Sequence, residues 1–373
     1  VYQLTEHDLG DIAIGSALLG TGGGGDPALG RLIAREALRR HGPVRVITPD
    51  ELAPDSFVLP VATMGAPTAA NEKLPSFEPV QELIRVFAEA AGRRPTHLMP
   101  IEIGGIAALV PIAIAAELGL PLVDADMMGR AFPELQMVIP SLAGVSATPM
   151  VLADEFANTV VLRSDDNAHT ERLARAVCVA MGAAALIALY PVDAEQVLAH
   201  TIAGSLTRAA DLGAVVRNAS RNHQDAAAAV AERIEGTVVF EGKVIDLQRR
   251  TEGGFTFVRT LLEGTGPSLG RTAEIESQNE HLAIRTAERT LATTPDLIIV
   301  VDAASGLAIT TEALRYGVRT QVIAAPCDPR YCTEDALTVV GPRAFGYDED
   351  FVSILDRMKE HVAWSPIAEK RSW

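Results

Sequence analysis

Several things are scarce in this chain of 373 residues, and each scarcity removes a class of protein. Cysteine occurs three times, as Cys178, Cys327 and Cys332. The number is odd, and the spacing fits neither a disulfide framework nor a zinc knuckle, so a reducing, cytoplasmic setting is expected. Positive charge is outnumbered, with 32 Lys and Arg against 48 Asp and Glu, for a formal net charge of −16. Such a surface repels phosphate backbones and anionic membranes, so neither nucleic acid nor a membrane is expected as a partner. The eight histidines form no H-E-x-x-H or other metal-binding spacing. No uninterrupted apolar run reaches the ~18 residues of a membrane span. The most apolar window, Ile103–Leu122, contains Pro111 and Glu117 and closes on Gly-Leu-Pro, so it reads as a buried helix. The first residues lack the basic-then-apolar pattern of a secretory leader. Aromatic residues are sparse as well, at 5%.

What is present is a large apolar fraction. Hydrophobic residues make up 48% and charged residues 21%, which supports a sizeable core and little disorder. Thr5 and Asp8 have the spacing of a capping box before a helix carrying Ile12, Ile14, Ala17 and Leu18. That helix runs into Gly20–Gly25, and a second follows from Ala28 to Arg40. Strands are expected at 44–47 and 56–61, then a helix at 79–91, a strand at 97–101, a helix at 106–118 and a strand at 121–124. The alternation predicts an α/β fold whose N-terminal domain, residues 1–165, is a helix-covered, largely parallel sheet. Residues 151–164 read as a strand pair or a crossover. Helices are expected at 168–188, 194–217 and 225–234. After Gly236, short apolar segments at 237–240, 243–247, 255–258, 272–275, 295–302 and 321–326 alternate with glycines. They predict a second, β-rich α+β domain over residues 166–360, opening with a helical segment.

Five segments carry chemistry. In Gly20–Gly25, the amides around Thr21, Gly22, Gly23, Gly24 and Gly25 can form an anion nest beside a helix N-terminus; the bland alternative is a helix–helix turn. No Lys-Ser/Thr follows and no strand precedes, so no nucleotide cofactor is expected. The segment 124–136 packs Asp124, Asp126, Arg130 and Glu134 directly after an apolar strand. Paired carboxylates can divide acid and base roles or hold a divalent metal, and an arginine can orient a planar group; an ion pair tying down a loop is the alternative. Glu102 lies at a strand end before two glycines, either as a catalytic acid or as a helix cap. Ligands of parallel sheets sit beyond the strands' carboxyl ends, where Glu102 and Asp124 both fall. Segment 276–281 places Asn279 and Glu280 where they can reach an amide, or simply in a solvated loop. Cys327 and Cys332 flank an arginine with no adjacent histidine, and inert thiols are the expected reading.

The motifs Gly-Thr-Gly-Gly-Gly-Gly-Asp-Pro (20–27), Val-Asp-Ala-Asp-x-Met-Gly-Arg-Ala-Phe-Pro-Glu-Leu-Gln (123–136), Gln-Asn-Glu (278–280), Pro-Asp-Leu-Ile (295–298) and Gly-Pro-Arg-Ala-Phe-Gly-Tyr-Asp (341–348) together form a pattern. It resembles the S-methyl thiohydantoin desulfurase-like family from about residue 4 to 355. The resemblance implies a hydrolase acting on a small five-membered cyclic amide. In the named activity, water replaces a methylthio group on the ring and yields a hydantoin and methanethiol. Asp124 or Asp126 would then be the base and Glu102 or Glu134 the acid. The glycine-loop amides, Arg130, Asn279 and Glu280 would bind the ring or its substituent. Family members occur beside hydantoinase and oxoprolinase subunits, so a non-catalytic partner subunit of such a complex is the competing reading. A phosphate-binding protein is a third, weakened by the missing lysine. A homo-oligomer is expected from the small, apolar faces of the alanine-rich helices.

Overall fold

The computed structural model describes residues 1–65 and 78–363. Its first half contains β1 (Tyr2–Leu4), α1 (Leu9–Leu19), α2 (Pro27–His41), β2 (Val44–Ile47), β3 (Phe57–Gly65), α3 (Glu78–Ala91), β4 (His97–Pro100), α4 (Gly105–Leu118), β5 (Leu122–Val123) and β6 (Ala125–Asp126). Then come α5 (Ile139–Leu142), β7 (Met150–Ala153), β8 (Thr159–Leu162), α6 (Asn167–Ala180), β9 (Ala184–Ala188) and β10 (Val192–Asp193). Local chemistry sets several starts. Asp26 accepts a hydrogen bond from the Ala28 amide at 2.8 Å, with Pro27 as the first residue of α2. The apolar window 103–122 becomes α4, buried from Gly105 to Ala116 and wedged between α1, α2 and the sheet. Among the described residues no helix is long and apolar enough to cross a membrane.

The first sheet has the order β1-β2-β5-β4-β3-β9-β7-β8, with β10 beside β3. Only β2, β5, β4 and β3 run parallel to one another; β1, β7, β8, β9 and β10 pair antiparallel. The sheet is therefore mixed rather than largely parallel, because β1 and the later strands β7, β8, β9 and β10 join the parallel core antiparallel. The segment 151–164 forms the strand pair β7–β8. The expected helix 168–188 stops at Ala180. Gly182 and Ala183 turn the chain in the left-handed region at φ 84° and 61°, and Ala184–Ala188 becomes β9 between β3 and β7. Burial in the middle of a sheet overrides the helical preference of alanine there.

The second half opens with α7 (Ala194–His200), β11 (Ile202–Ala203), α8 (Ser205–Arg221) and α9 (Ala226–Arg233). The expected helix 194–217 is thus broken at Thr201–Gly204, where β11 pairs with β6 and Gly204 adopts φ 76°. Helix α8 lies along α1, tied by Arg217 to Asp11 at 2.8 Å. Next come β12 (Thr237–Glu252), β13 (Phe255–Gly264), β14 (Thr272–Gln278), β15 (Glu280–Thr286), β16 (Thr290–Thr293), β17 (Leu297–Asp302) and β18 (Arg319–Ala325), with α10 (Glu334–Val340) and α11 (Ile354–Ala363) at the end. The seven strands form one antiparallel sheet of order β16-β15-β14-β13-β12-β18-β17. The apolar run in β17 is explained by two cores. Leu297, Ile299 and Val301 face the core of the first sheet, while Ile298 and Val300 face a second core with Val322, Ile284 and Ile275.

Candidate functional site

The glycine-rich loop lies where the two sheets meet. Its Thr21 carbonyl accepts from the His281 amide at 2.8 Å, and its Gly22 carbonyl accepts from the Thr311 amide at 2.8 Å. On the other side, the Gly24 carbonyl accepts from the Ala107 amide at 3.3 Å. The loop is thus stitched to β15 and to α4 at once. The run of glycines follows from what rests on it. A Cβ on Gly23 would lie 1.9 Å from Glu280 Oε1, and one on Gly22, itself at φ 91°, would lie 2.5 Å from His281 Nε2. Only a bare backbone leaves room for those two side chains.

A cavity of about 90 Å³ opens beside this loop. Gly24, Gly25, Glu102, Glu134, Asn279 and Glu280 all line it. Glu102 enters from the end of β4, Glu134 from the segment after β6, and Glu280 from the start of β15. Asn279, at φ 58°, makes the tight turn between β14 and β15, and its Oδ1 accepts from the Thr256 amide at 2.9 Å. That turn is what swings Glu280 toward the cavity.

Burial governs the charge state of these acids. Glu280 is 3% exposed, and burial pushes its carboxyl up to about 8, with Arg130 pulling the other way and Glu312 adding to the rise. Its Oε2 has no hydrogen-bond partner among the described residues. Glu102 is half-buried, and it lines the cavity. Burial holds its carboxyl well above the ordinary range; Glu280 and Asp126 add to the rise, and the Phe132 backbone and Arg130 oppose it. Glu134 accepts a hydrogen bond from Gln136 Nε2. At neutral pH Glu102 and Glu280 therefore hold their protons, within the field of the Arg130 and Arg175 guanidinium groups. His281 stays neutral, drawn down to about 3 by burial and by Arg130; its Nδ1 meets Ser277 Oγ at 2.9 Å.

The other residues singled out in the sequence lie outside the cavity wall. Asp124 accepts from the Leu206 amide at 2.7 Å and from Thr207 Oγ1 at 2.5 Å, at the first turn of α8. Asp126 accepts from the Met128 and Gly129 amides at 3.0 and 2.7 Å and from Ser205 Oγ, and burial raises it to about 6. Arg130 is 1% exposed and donates to the carbonyls of Ala131, Pro295 and Asp296 and to Thr21 Oγ1. Its guanidinium crosses the Phe132 ring at 4.5 Å. It acts on the carboxyls through its field. Thr21, Gly22 and Gly23 form the floor beneath Glu280 and His281.

The sequence reading missed Arg175 of α6, which lines the cavity, pairs with Glu171 at 2.6 Å and donates to the Pro133 carbonyl at 3.1 Å. Glu171 in turn accepts from the Leu135 amide at 3.0 Å, so the pair fastens the 133–135 wall. The i,i+4 spacing of Glu171 and Arg175 was legible, but it marks a helix surface and not a cavity. Glu312 was missed too; it is raised by burial, and its Oε1 has no partner among the described residues. Among the described residues no three His, Cys, Asp or Glu side chains gather as a metal cluster.

Comparison with known proteins bears on the whole chain. A family profile described as "S-Me-THD-like, N-terminal domain" matches residues 7–164, and one described as "S-Me-THD-like, C-terminal domain" matches residues 164–354. A solved structure of a protein from Chromobacterium violaceum, a structural-genomics target, superposes with a TM-score of 0.79 at 25% identity. The match covers 95% of this chain and 100% of that one. No curated protein matches the chain.

Proposed function

This chain belongs to the S-Me-THD-like family, and from that membership together with the two carboxyls that line one cavity we propose that it hydrolyses a small five-membered cyclic amide at the Glu102–Glu280 cavity. The reaction that fits best is removal of a methylthio group from an S-methyl thiohydantoin, with a hydantoin-type ring as the wider substrate class. The observation that carries this reading is the unpartnered Oε2 of buried Glu280, lining the same cavity as Glu102.

The ring carbon bears nitrogen and sulfur and must accept a water oxygen. Glu280 in its carboxylate form takes one proton from that water as the carbon–oxygen bond forms. Glu102, whose carboxyl burial holds well above the ordinary range, gives its proton to the ring nitrogen. The carbon–sulfur bond then breaks. Glu280 returns its proton to the departing sulfur, giving methanethiol, and Glu102 recovers one from the new hydroxyl as the carbonyl forms. Both carboxyls end as they began. Arg130 steadies the ionised Glu280 from behind. The amides of Gly24 and Gly25, residues that line the cavity, would bind a ring oxygen. Asp124 and Asp126 serve the architecture in this scheme, since helix and loop amides already occupy their oxygens.

The test is turnover of an S-methyl thiohydantoin in heavy-oxygen water by the purified chain. Methanethiol should appear in step with one heavy oxygen in the ring carbonyl. Absence of both with folded protein, across a panel of such rings, would refute the hydrolase.

A further inference from the structure

A cavity of about 90 Å³ is smaller than the ~150 Å³ that encloses a benzene ring, so it takes the reacting edge of a five-membered ring and leaves the rest outside. What lies outside is defined. A second concavity of about 720 Å³ adjoins the first, and Glu134 and Arg175 line both. One side of it is a face of α6, where Ala168, Arg172, Arg175, Ala176 and Val179 recur at three- and four-residue spacing. Opposite stands the tip of the β12–β13 hairpin, with Gly253 and Phe255. Val179 is 51% exposed on that face, an apolar side chain that nothing covers among the described residues.

The charges bordering this groove are largely committed. Arg175 is paired with Glu171 and stacked over the Phe255 ring at 4.2 Å, and Glu134 is held by Gln136. What remains is a surface of small aliphatic groups ending on the Phe255 ring, with exposed Arg172 at its rim beside His169 Nδ1 at 3.1 Å. That surface takes an uncharged group, and a planar one best of all.

We propose that this groove is a substituent subsite, and that the substrate is a ring carrying an uncharged, apolar side chain at the position away from the reacting carbon. This rests on the hydrolase reading for the identity of the ring. The ring edge enters between Glu102 and Glu280, the molecule passes Glu134 and Arg175 at the neck, and its side chain lies along α6 against Phe255. Arg175 would then be a positioning residue, fixing the neck through Pro133 and the groove through Phe255.

The experiment compares two S-methyl thiohydantoins, one bearing only hydrogen at the ring carbon and one bearing a benzyl group there. Binding is read calorimetrically and turnover by methanethiol release. Burial of the benzyl group should strengthen binding by about tenfold or more. Ala176→Trp, on the exposed face of α6, fills the groove and should bring the benzyl compound down to the level of the unsubstituted one. Val179→Trp should do the same, and circular dichroism confirms that each variant is folded. Equal binding of the two compounds to the wild-type chain, or a benzyl preference that survives both tryptophans, would overturn the subsite. A benzyl preference without turnover keeps the subsite and removes the hydrolase, so the two readings fail separately.

Discussion

At the scale of single residues, Glu280 carries most of the account. A carboxyl kept protonated to about pH 8 must lose its proton to act as a base, so kcat/KM should climb with pH through that region. Glu280→Gln should flatten the climb and lower the rate by about two to four orders of magnitude, as seen in a pH–rate profile. The same proton has a stability consequence. The folded-state value lies above the ordinary 4.5, so the group favours the folded state at low pH, and that contribution is lost as pH rises through about 8. Thermal melts should therefore show Glu280→Gln a few degrees more stable than the wild type near pH 9, with the gap closing toward roughly pH 5. A gap that widens on acidification would mean that Glu280 is ionised in the folded protein at neutral pH. The sequence exposed Glu280 as a polar residue after a presumed strand. It did not expose the charge state, which depends on Arg130 and on the burial that β15 acquires only by packing over the glycine loop.

At the scale of elements, the glycine loop and the start of α8 make separable predictions. Gly23→Ala pushes a methyl group to 1.9 Å from Glu280 Oε1, so the carboxyl must move. Activity should fall at least about tenfold and stability by about 1–3 kcal/mol, measured by turnover and urea denaturation. Normal activity in this variant would detach the loop from the site. Asp124→Ala removes the acceptor at the first turn of α8 and should cost about 1–2 kcal/mol in urea denaturation, with the folded fraction still turning over. A loss near two orders of magnitude per folded molecule would return Asp124 to the chemistry. The loop was legible because five glycines in six residues exceed what a turn needs. The reason for them was not, since Glu280 and His281 come from more than 250 residues away in the chain. Asp124 was legible as an acid after a strand, and nothing local told that α8 would start against it. The helices at 168–188 and 194–217 were overextended because alanine signals helix, while Gly182 and Gly204 in the left-handed region decide where the chain turns.

At the scale of the molecule, the site is a product of two sheets closing on one loop. The first sheet brings Glu102 at the end of β4, the second brings Asn279 and Glu280 at the turn into β15, and Arg130 reaches between them to the carbonyls of Pro295 and Asp296. The alternation of strands and helices in the first half, and the glycine-punctuated strands of the second, were readable from apolar periodicity. Which strands pair antiparallel was not, because those strands come from residues 2–4 and 150–193, far along the chain from most of their partners, and pairing partners leave no mark on a single sequence. The measurement that bears most directly on the whole scheme is methanethiol release from an S-methyl thiohydantoin by the wild-type chain, Glu280→Gln and Asp124→Asn, each normalised to folded protein. The expected result is release by the wild type, near-complete loss in Glu280→Gln and most of the rate retained in Asp124→Asn. Undiminished release by Glu280→Gln would contradict it.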